Sequence, residues 1–362
     1  MSTYHSSYGS PHKRRQSKLR RRLIIILFFT LIAVAAFLAM SVNRMFFKSN
    51  VWVANGGVAE VFIPTGSNFE DVKEILFEKG LIVRRGDFEN VSDWMKYTDF
   101  VKPGRYLIEN ELNNYTLIRL LRSGAQKPVN VTFNNMRDIY QLAGRVSAQI
   151  EADSSDIVKL LTDKEYLSFL GYNTQTIPAM FIPNTYELYW TTNAEGFVSR
   201  MFQEKDKFWN EDRKLKAKAL NLTTNEVATL ASIIDKETNK NNEKATIAGV
   251  YLNRLKLGWR LQADPTLVFA AGDFEIRRVL DIHKTIESPY NTYLYSGLPP
   301  GPICIPSISA IDAVLNYEKH AYYFFCAKDD LSGYHAFASS YAQHEVNAWK
   351  YRKALDRMNI KN

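Results

Sequence analysis

The stretch TTNEVATLASIIDKET, residues 223–238, decides the fold of the C-terminal part of this 362-residue chain. Thr223 and Glu226 have the spacing of an N-terminal capping box. One face then repeats at i, i+3, i+4, i+7 and i+11 through Val227, Leu230, Ala231, Ile234 and Thr238. This period is that of an α-helix with one buried face. The pattern predicts a helix over 224–238.

Two acidic residues lie in the last turn of this predicted helix. Asp235 and Glu237 are two positions apart, roughly 200° around a helix axis, so their side chains cannot point into one cavity. Glu237 follows Leu230 by seven residues and Ile234 by three, which places it on the apolar side. Burial there disfavours the charged carboxylate and raises its pKa toward the range of a general acid. Glu237 is therefore the candidate acid/base.

The N-terminus has the pattern of a membrane anchor. Residues 1–22 form a basic tail with seven Lys and Arg and no acidic residue, and residues 23–42 carry no charge. Twenty helical residues match the roughly 30 Å hydrocarbon core of a bilayer. A cleaved signal peptide is the alternative, but its apolar region is only about 7–15 residues long. The pattern predicts a transmembrane helix over 23–42.

The distribution of charge predicts how this anchor is oriented. The basic tail outweighs Arg44 and Lys48 after the span, so the positive-inside rule places the N-terminus in the cytoplasm. We expect a single-pass protein of the cytoplasmic (inner) membrane with the rest of the chain on the periplasmic or external side. The net charge of +8 then resides mainly in the tail and its flank, and a nucleic-acid partner is not expected.

The exported part is long enough for two domains and contains only two cysteines. A disulfide framework is therefore not expected, and the sequence leaves open whether Cys304 and Cys326 pair. After a juxtamembrane linker at 43–57, a small strand and helix domain is predicted over 58–128. Residues 58–63 have a strand pattern, a capping box at Ser67 and Glu70 starts a helix, and Gly80 ends it.

The same pattern recurs before the second domain. Residues 103–108 have a turn and strand pattern, and Asn113 or Asn114 caps a helix that Gly124 ends. The second domain, 129–362, begins with a strand at 129–133 and helical stretches at 137–150 and 154–170. The aromatic stretch 178–190 is predicted as ordered loop or strand. Its rings suit either core packing, the more frequent role, or a stacking wall for sugars.

Five motifs follow one another across the second domain. They are LASIIDKET at 230–238, AGVYLNRL at 248–255, LQADPT at 261–266, SPYNTY at 288–293 and GLPPGP at 297–302. In this order they resemble the endolytic murein transglycosylase family, also called the YceG-like family. The resemblance implies an α+β fold with an N-terminal transmembrane helix. It further implies a LysM-like strand and helix domain, then a mainly helical, lysozyme-related catalytic domain with added strands.

The resemblance also implies an activity. In such enzymes one glutamate, followed by a small hydroxyl residue, performs both proton transfers, and Glu237-Thr238 matches that pair. The expected reaction cleaves the bond between N-acetylmuramic acid and N-acetylglucosamine in peptidoglycan and leaves a 1,6-anhydro end. No cofactor is expected. The family usually has a glutamate at the position of Asp235, so Asp235 and Thr238 are candidates for catalytic support. Peptidoglycan synthases are the partners that the resemblance suggests.

Further residues of the motifs are candidates for contact with the sugar. They are Tyr186, Asn253, Gln262, Asp264, Tyr290, Asn291 and Tyr293. Each has a structural alternative, such as a helix start at Asp264 before Pro265 or loop hydrogen bonding at Asn291. The loop 297–302 is expected to be rigid and to serve shape, not chemistry.

Other chemistries match the sequence less well. His283, His320, His335 and His344 lack metal-ligand spacing, and Ser232 lacks a nucleophile elbow. A catalytically silent peptidoglycan-binding scaffold for synthases is the main alternative. A hydrolytic muramidase is another, and it needs a second carboxylate about 5–9 Å from the first. Asp264 and Glu187 are the candidates for that carboxylate.

Overall fold

The computed structural model describes residues 11–276 and 278–357, and of residues 11–17 it describes the backbone alone. Residues 1–10 of the predicted basic tail and residues 358–362 of the predicted second domain lie outside this range. The chain divides into two compact units after Lys127. The predicted start of the second domain at residue 129 lies close to this division.

The first unit begins with a long helix, α1, at Pro11–Phe47. Its part from Lys18 to Phe47 has a mean hydropathy of 3.0 in its most apolar window, and none of that window is buried within the fold. The helix is therefore long and apolar enough to cross a membrane. It contains the predicted span and extends beyond it at both ends.

Part of the segment predicted as a linker, 43–57, packs into the core of the first unit. Phe46, Val51 and Val53 are buried in the first unit, and Val51 forms a β-bridge with Ile82. The Asn50 side chain is fully buried and donates a hydrogen bond of 2.7 Å to Asn114 Oδ1. Apolar burial and the satisfied amide fix the chain where the sequence suggested a spacer.

The remaining elements of the first unit form a two-stranded sheet with three helices. They are β1 (Val58–Ile63), α2 (Phe69–Glu78), α3 (Arg85–Trp94), β2 (Gly104–Glu109) and α4 (Asn114–Ser123). The strands are antiparallel, with Val58 opposite Glu109 and Ile63 opposite Gly104. Inward side chains of both strands pack on α2 and α4 in one core. The strand at 58–63 is confirmed residue for residue.

Helix ends in this unit match the predictions in part. Asn68, not Ser67, caps α2, and Asp71 returns the second bond of the capping box. Asn113 caps α4 by accepting from Thr116 N–H, and Gly124 ends it in the left-handed conformation at φ +73°. The helix α3 was not predicted.

The second unit begins with a strand and helix layer. Its elements are β3 (Val129–Phe133), α5 (Ile139–Ser147), α6 (Ser154–Thr162), α7 (Lys164–Phe169), β4 (Asn184–Leu188), α8 (Ala194–Phe208) and α9 (Glu211–Ala219). The strands β3 and β4 pair antiparallel. The predicted helix at 154–170 is two helices, because Asp163 ends α6 and caps α7. Phe181 and Tyr186 are buried beside Phe133, which confirms core packing for these two rings.

The rest of the second unit surrounds the helix predicted from residues 223–238. Its elements are α10 (Thr224–Glu237), α11 (Lys244–Lys256), α12 (Asp264–Ala271), α13 (Ile308–Leu315), β5 (Phe324–Ala327), β6 (His335–Ala338) and α14 (Tyr341–Arg357). The strands β5 and β6 form an antiparallel hairpin. Every residue from Val227 to Asp235 is buried, so α10 is the central helix of its core. Both cysteines are free thiols, Cys304 buried and Cys326 half-buried.

Two glycines let backbone segments approach closely in this unit. A Cβ on Gly249 of α11 would lie 2.4 Å from the carbonyl oxygen of Glu318. A Cβ on Gly301 would lie 2.1 Å from the carbonyl oxygen of Gln175. Both distances are far below van der Waals contact, so neither site accommodates a side chain without a backbone shift. Gly301 lies in the loop that was expected to serve shape.

Candidate active site

The candidate acid lies at the C-terminal end of α10. Thr223 accepts from Glu226 N–H, and the Glu226 carboxylate accepts from Thr223 N–H at 2.7 Å, which forms the predicted capping box. The helix ends at Glu237, and Thr238 leaves it with extended dihedral angles of φ −146° and ψ 141°. A cap at one end and burial along its length hold the last turn in place. Glu237 is the last helical residue.

Glu237 faces a cleft, and a hydrogen bond from Tyr251 holds its carboxylate. The Tyr251 hydroxyl, on α11, donates to Glu237 Oε1 at 2.5 Å. Burial raises the pKa of Glu237 to about 7, an effect that the Tyr251 hydrogen bond opposes. The charge of Asp264 raises this pKa further, whereas the Arg254 guanidinium lowers it. A carboxyl with a pKa near neutrality can both give and take a proton at physiological pH.

The Glu237 cleft has a volume of about 990 Å³. Glu237 and Asp264 both line it, together with apolar side chains from α12 and from the segment after it. The apolar part of the wall includes Pro265, Val268, Phe269, Phe274, Ile276 and Val279. Such a volume suits a ligand of several rings. The cleft therefore combines an acid at one wall with an apolar surface at another.

Asp264 and Tyr293 form a second pair near this acid. Asp264 begins α12, is exposed, and accepts a hydrogen bond of 2.5 Å from the Tyr293 hydroxyl. Burial and the Asp264 carboxylate raise the pKa of Tyr293 well above its usual value, so its hydroxyl remains a donor. The predicted site residues Glu237 and Asp264 are thus brought to one cleft, and Tyr293 supports Asp264.

Asp235, predicted as possible catalytic support, has its carboxylate engaged within the fold. It is buried and pairs with Lys244 on α11, with 2.6 Å between Oδ1 and Nζ. It also accepts from Ser307 N–H at 2.5 Å and from the Ser307 hydroxyl at 2.8 Å. These bonds join the end of α10 to α11 and to the start of α13. Asp235 is not among the residues that line the cleft, consistent with its roughly 200° separation from Glu237 around the helix axis.

Thr238 is the C-cap of α10 and is buried. Its N–H donates to the Ile234 carbonyl, and its hydroxyl oxygen accepts from Lys240 N–H at 3.0 Å. It shapes the turn that follows Glu237. Its hydroxyl bonds to backbone and not to the acid.

Three of the predicted sugar-contact residues form hydrogen bonds to backbone carbonyls within the fold. Tyr186 is 5% exposed in the core, and its hydroxyl donates to the Ile182 carbonyl. Asn253 Nδ2 donates to the carbonyl oxygens of His320 and Tyr322. Asn291 is fully buried, and its Nδ2 donates to the carbonyl oxygens of Lys284 and Ile286. These hydrogen bonds to backbone carbonyls help to hold core and loops together.

The two remaining candidates lie near the cleft wall or at the surface. The Tyr290 ring packs 4.6 Å from Phe269, centroid to centroid, and so supports a residue of the wall from behind. Gln262 is exposed, has a φ of +48°, and donates its N–H to the Thr292 carbonyl. Neither residue contacts Glu237 through a hydrogen bond.

Sequence reasoning missed the residues that control the acid. Tyr251 and Arg254 lie in the motif at 248–255, from which only Asn253 was selected. Arg254 is 8% exposed, donates to the carbonyl oxygens of Tyr323 and Leu261 at 2.7 Å each, and lies close enough to Glu237 to influence its pKa. A tyrosine and an arginine three positions apart share one helix face. This shared face, within a motif already singled out, could have identified both residues from the sequence.

A carboxyl with a near-neutral pKa, held by a buried tyrosine at the wall of a cleft, is chemically suited to general acid catalysis. The model of the YceG-like family matches residues 61–350, and the chain belongs to that family.

Named relatives and one solved structure agree with this assignment. An endolytic murein transglycosylase of Streptococcus pneumoniae (serotype 2, strain D39) is 27% identical over 318 residues, covering 79% of this chain. The match covers 57% of that relative, so the chain spans little more than half its length. An endolytic murein transglycosylase of Bacillus subtilis (strain 168) is 27% identical over 305 residues, covering 80% of this chain and 83% of that relative. A crystal structure of a YceG-like protein of Listeria monocytogenes superposes with a TM-score of 0.54 at 26% identity, covering 80% of this chain and 98% of that one.

Proposed function

We propose that the chain is a membrane-anchored endolytic transglycosylase of peptidoglycan that uses Glu237 as its only acid/base. The observation that carries this proposal is the raised pKa of Glu237, about 7, at the wall of a cleft large enough for several sugar rings. The names of the Streptococcus and Bacillus relatives support the same activity.

The reaction needs one carboxyl because the nucleophile belongs to the substrate. Protonated Glu237 gives its proton to the glycosidic oxygen as the bond from that oxygen to C1 of N-acetylmuramic acid breaks. N-acetylglucosamine leaves with a free 4-hydroxyl. The Glu237 carboxylate then takes the proton of the muramic C6 hydroxyl while O6 bonds to C1. The product is a 1,6-anhydro end, and the carboxyl is again protonated for the next cycle.

Neighbouring groups are suited to this cycle. The Tyr251 hydroxyl stabilises the carboxylate that exists between the two proton transfers. The Asp264 carboxylate, on the same cleft, favours positive charge and suits the oxocarbenium-like transition state at C1. The Arg254 guanidinium is tied to two backbone carbonyls and remains a fixed positive charge behind the acid.

The cellular setting is part of the proposal. The helix α1 is proposed to anchor the chain in the cytoplasmic membrane with its N-terminus inside, so that the second unit meets the cell wall. The first unit is proposed to be LysM-like and to bind or space glycan, and the second to be related to lysozyme. Peptidoglycan synthases are proposed partners, because cutting nascent strands is useful beside the machinery that makes them.

The chemical structure of the strand ends that cleavage produces tests this proposal. The full chain in detergent micelles is incubated with purified, uncrosslinked glycan strands, and the fragments are analysed by mass spectrometry. We expect internal cleavage and new 1,6-anhydro ends, both lost in Glu237→Gln. The variant Glu187→Gln is the matched control, because Glu187 is an exposed residue of β4 outside the residues that line the cleft. It is expected to cleave like the wild type.

A hydrolytic muramidase is the second candidate, because Asp264 supplies another carboxylate to the cleft. New reducing ends in place of anhydro ends would establish hydrolysis. No cleavage of nascent-type strands, with binding retained, would reject both activities in favour of a scaffold.

A further inference from the structure

The Glu237 cleft is lined by more positive than negative side chains. Four cationic residues line it: Arg137, Lys236, Arg278 and Arg352. The acidic residues that line it are Glu237 and Asp264. Because the pKa of Glu237 is about 7, this carboxyl is partly neutral at physiological pH. The residues that line the cleft therefore carry an excess of positive charge. This set of four cations is called the cationic rim below.

Most of the cationic rim is free to bind a ligand. Lys236, Arg278 and Arg352 are exposed, and within residues 11–276 and 278–357 none of them has a hydrogen-bond or ion-pair partner. Arg137 pairs with Asp138 at 2.9 Å, and its guanidinium lies 4.7 Å from the centre of the Phe274 ring, another wall residue. Like charges around one cleft repel one another. An anionic ligand would relieve that repulsion.

The types of cation indicate the ligand chemistry. Three of the four are arginines, whose planar guanidinium groups donate two parallel hydrogen bonds to a carboxylate or a phosphate. The sugar rings of a glycan strand carry neither group. The peptide stem of peptidoglycan carries several carboxylates, and a lipid-linked strand carries one pyrophosphate at its end.

We propose that the cationic rim binds the carboxylates of the peptide stem on the muramic residue whose bond is cleaved. This inference rests on the proposed function and specifies its substrate as stem-bearing, acidic strands. Lys236 directly precedes the acid in sequence. The stem is attached at O3 of the sugar ring whose C1 carries the glycosidic oxygen that Glu237 would protonate, so the stem must leave the cleft close to that acid. A pyrophosphate occurs once per strand and is absent from most cleavage points.

The experiment compares strands that differ only in charge. Uncrosslinked, fluorescently labelled strands have their free amines acetylated. Half of the preparation is then treated with carbodiimide and ammonium to convert the stem carboxylates to neutral amides of nearly the same shape. Binding to full-length Glu237→Gln protein in detergent micelles is measured by fluorescence anisotropy. We expect the acidic strands to bind about tenfold more tightly, and salt to reduce this difference.

The variant Arg352→Gln, in the Glu237→Gln background, assigns the effect to the rim. It is expected to weaken binding of acidic strands about fivefold and to leave binding of amidated strands unchanged. Lys353→Gln is the matched control on the same helix, α14. Its ammonium lies 4.7 Å from the centre of the Trp349 ring, and it is not a cleft residue. It should bind both strands like its parent protein.

The outcomes separate this inference from the proposed function. Equal binding of acidic and amidated strands overturns the inference, as does a loss in Arg352→Gln that is the same for both. A third arm uses lipid-linked strands before and after release of the lipid pyrophosphate, and dependence on the pyrophosphate alone also overturns it. Charge-dependent binding without cleavage by wild-type protein rejects the proposed activity but retains the rim as a stem-binding site.

Discussion

The Tyr251 hydroxyl and the Glu237 carboxylate are 2.5 Å apart, and this hydrogen bond joins the end of α10 to the middle of α11. The bond favours the charged carboxylate, whereas burial favours the neutral carboxyl. The tyrosine itself is 1% exposed, and burial raises its pKa well above its usual value, so it remains a donor at all physiological pH values. These are the two largest of the effects that set the pKa of the acid.

The first prediction concerns pH. Because Glu237 must begin the cycle protonated and has a pKa of about 7, kcat/KM on glycan strands is expected to fall as the pH rises through 7. The plot of log kcat/KM against pH should have the slope of a single ionisation. An ordinary glutamate would lose its proton near pH 4.5, and an enzyme that used one would be nearly inactive at neutral pH. A profile that is flat from pH 6 to pH 9 would contradict the assignment.

The second prediction concerns Tyr251→Phe. Loss of the hydroxyl removes the hydrogen bond that lowers the pKa of Glu237, so the midpoint of the pH profile should move upward by roughly one unit. A fall in kcat of about tenfold is also expected, because the intermediate carboxylate loses a charge-assisted bond. Tyr317→Phe is the control, since its hydroxyl bonds to Lys256 and not to the acid. An unchanged midpoint in Tyr251→Phe would show that the bond does not tune the acid.

The third prediction concerns the stability of Glu237→Gln. The folded-state pKa of about 7 lies above the usual 4.5, so between these values the folded protein binds more protons than the unfolded chain. The free energy of unfolding of the wild type therefore falls as the pH rises through this window. Glutamine cannot ionise and can still accept from Tyr251.

At pH 8 the free energy of unfolding of the variant should therefore exceed that of the wild type by at least about 1 kcal/mol. This difference should vanish at pH 4. Thermal unfolding followed by circular dichroism at both pH values measures it. A variant less stable than the wild type at pH 8 would indicate that the carboxylate is not desolvated.

The fourth prediction concerns the buried pair of Asp235 and Lys244. Their side chains are 2% and 6% exposed, so Asp235→Asn leaves a buried ammonium without its counter-charge. We expect a loss of about 3–5 kcal/mol in the free energy of unfolding. The double variant Asp235→Asn, Lys244→Met should recover part of it. The exposed pair of Glu211 and Lys214 is the control, for which removal of either partner should cost less than about 1 kcal/mol.

The parts of the fold that local patterns encode were predictable. The helix expected at 224–238 is Thr224–Glu237, and the strands expected at 58–63 and 129–133 have those bounds. The capping box and the alternation of apolar residues are local patterns, which lie in or next to the helix or strand that they define. The packing of residues 43–57 depends on Asn114, far away in sequence, and a single sequence does not reveal that contact.

The candidate site was predictable where chemistry and burial coincide on one residue. Glu237 was selected as an acid on an apolar helix face, and Asp264 was selected from the motif LQADPT at 261–266. Both line the cleft. Tyr186 and Asn291 were selected only through the family resemblance, and their polar atoms are used within the fold. Tyr251 was missed because a tyrosine on the buried face of a helix has the same spacing as a core residue. Its partner is 14 residues away in sequence.

The helix α1 continues into the first unit without a flexible joint, since Phe46 near its end is buried in the core of that unit. With α1 as the proposed anchor, the distance of this unit from the lipid headgroups is fixed to within about one helical turn, some 5 Å. The unit turns only as the anchor turns in the plane of the bilayer. Lengthening the apolar part of α1 would move the first unit farther from the membrane. A glycine-rich insertion at residue 48 would instead make its connection to the anchor flexible.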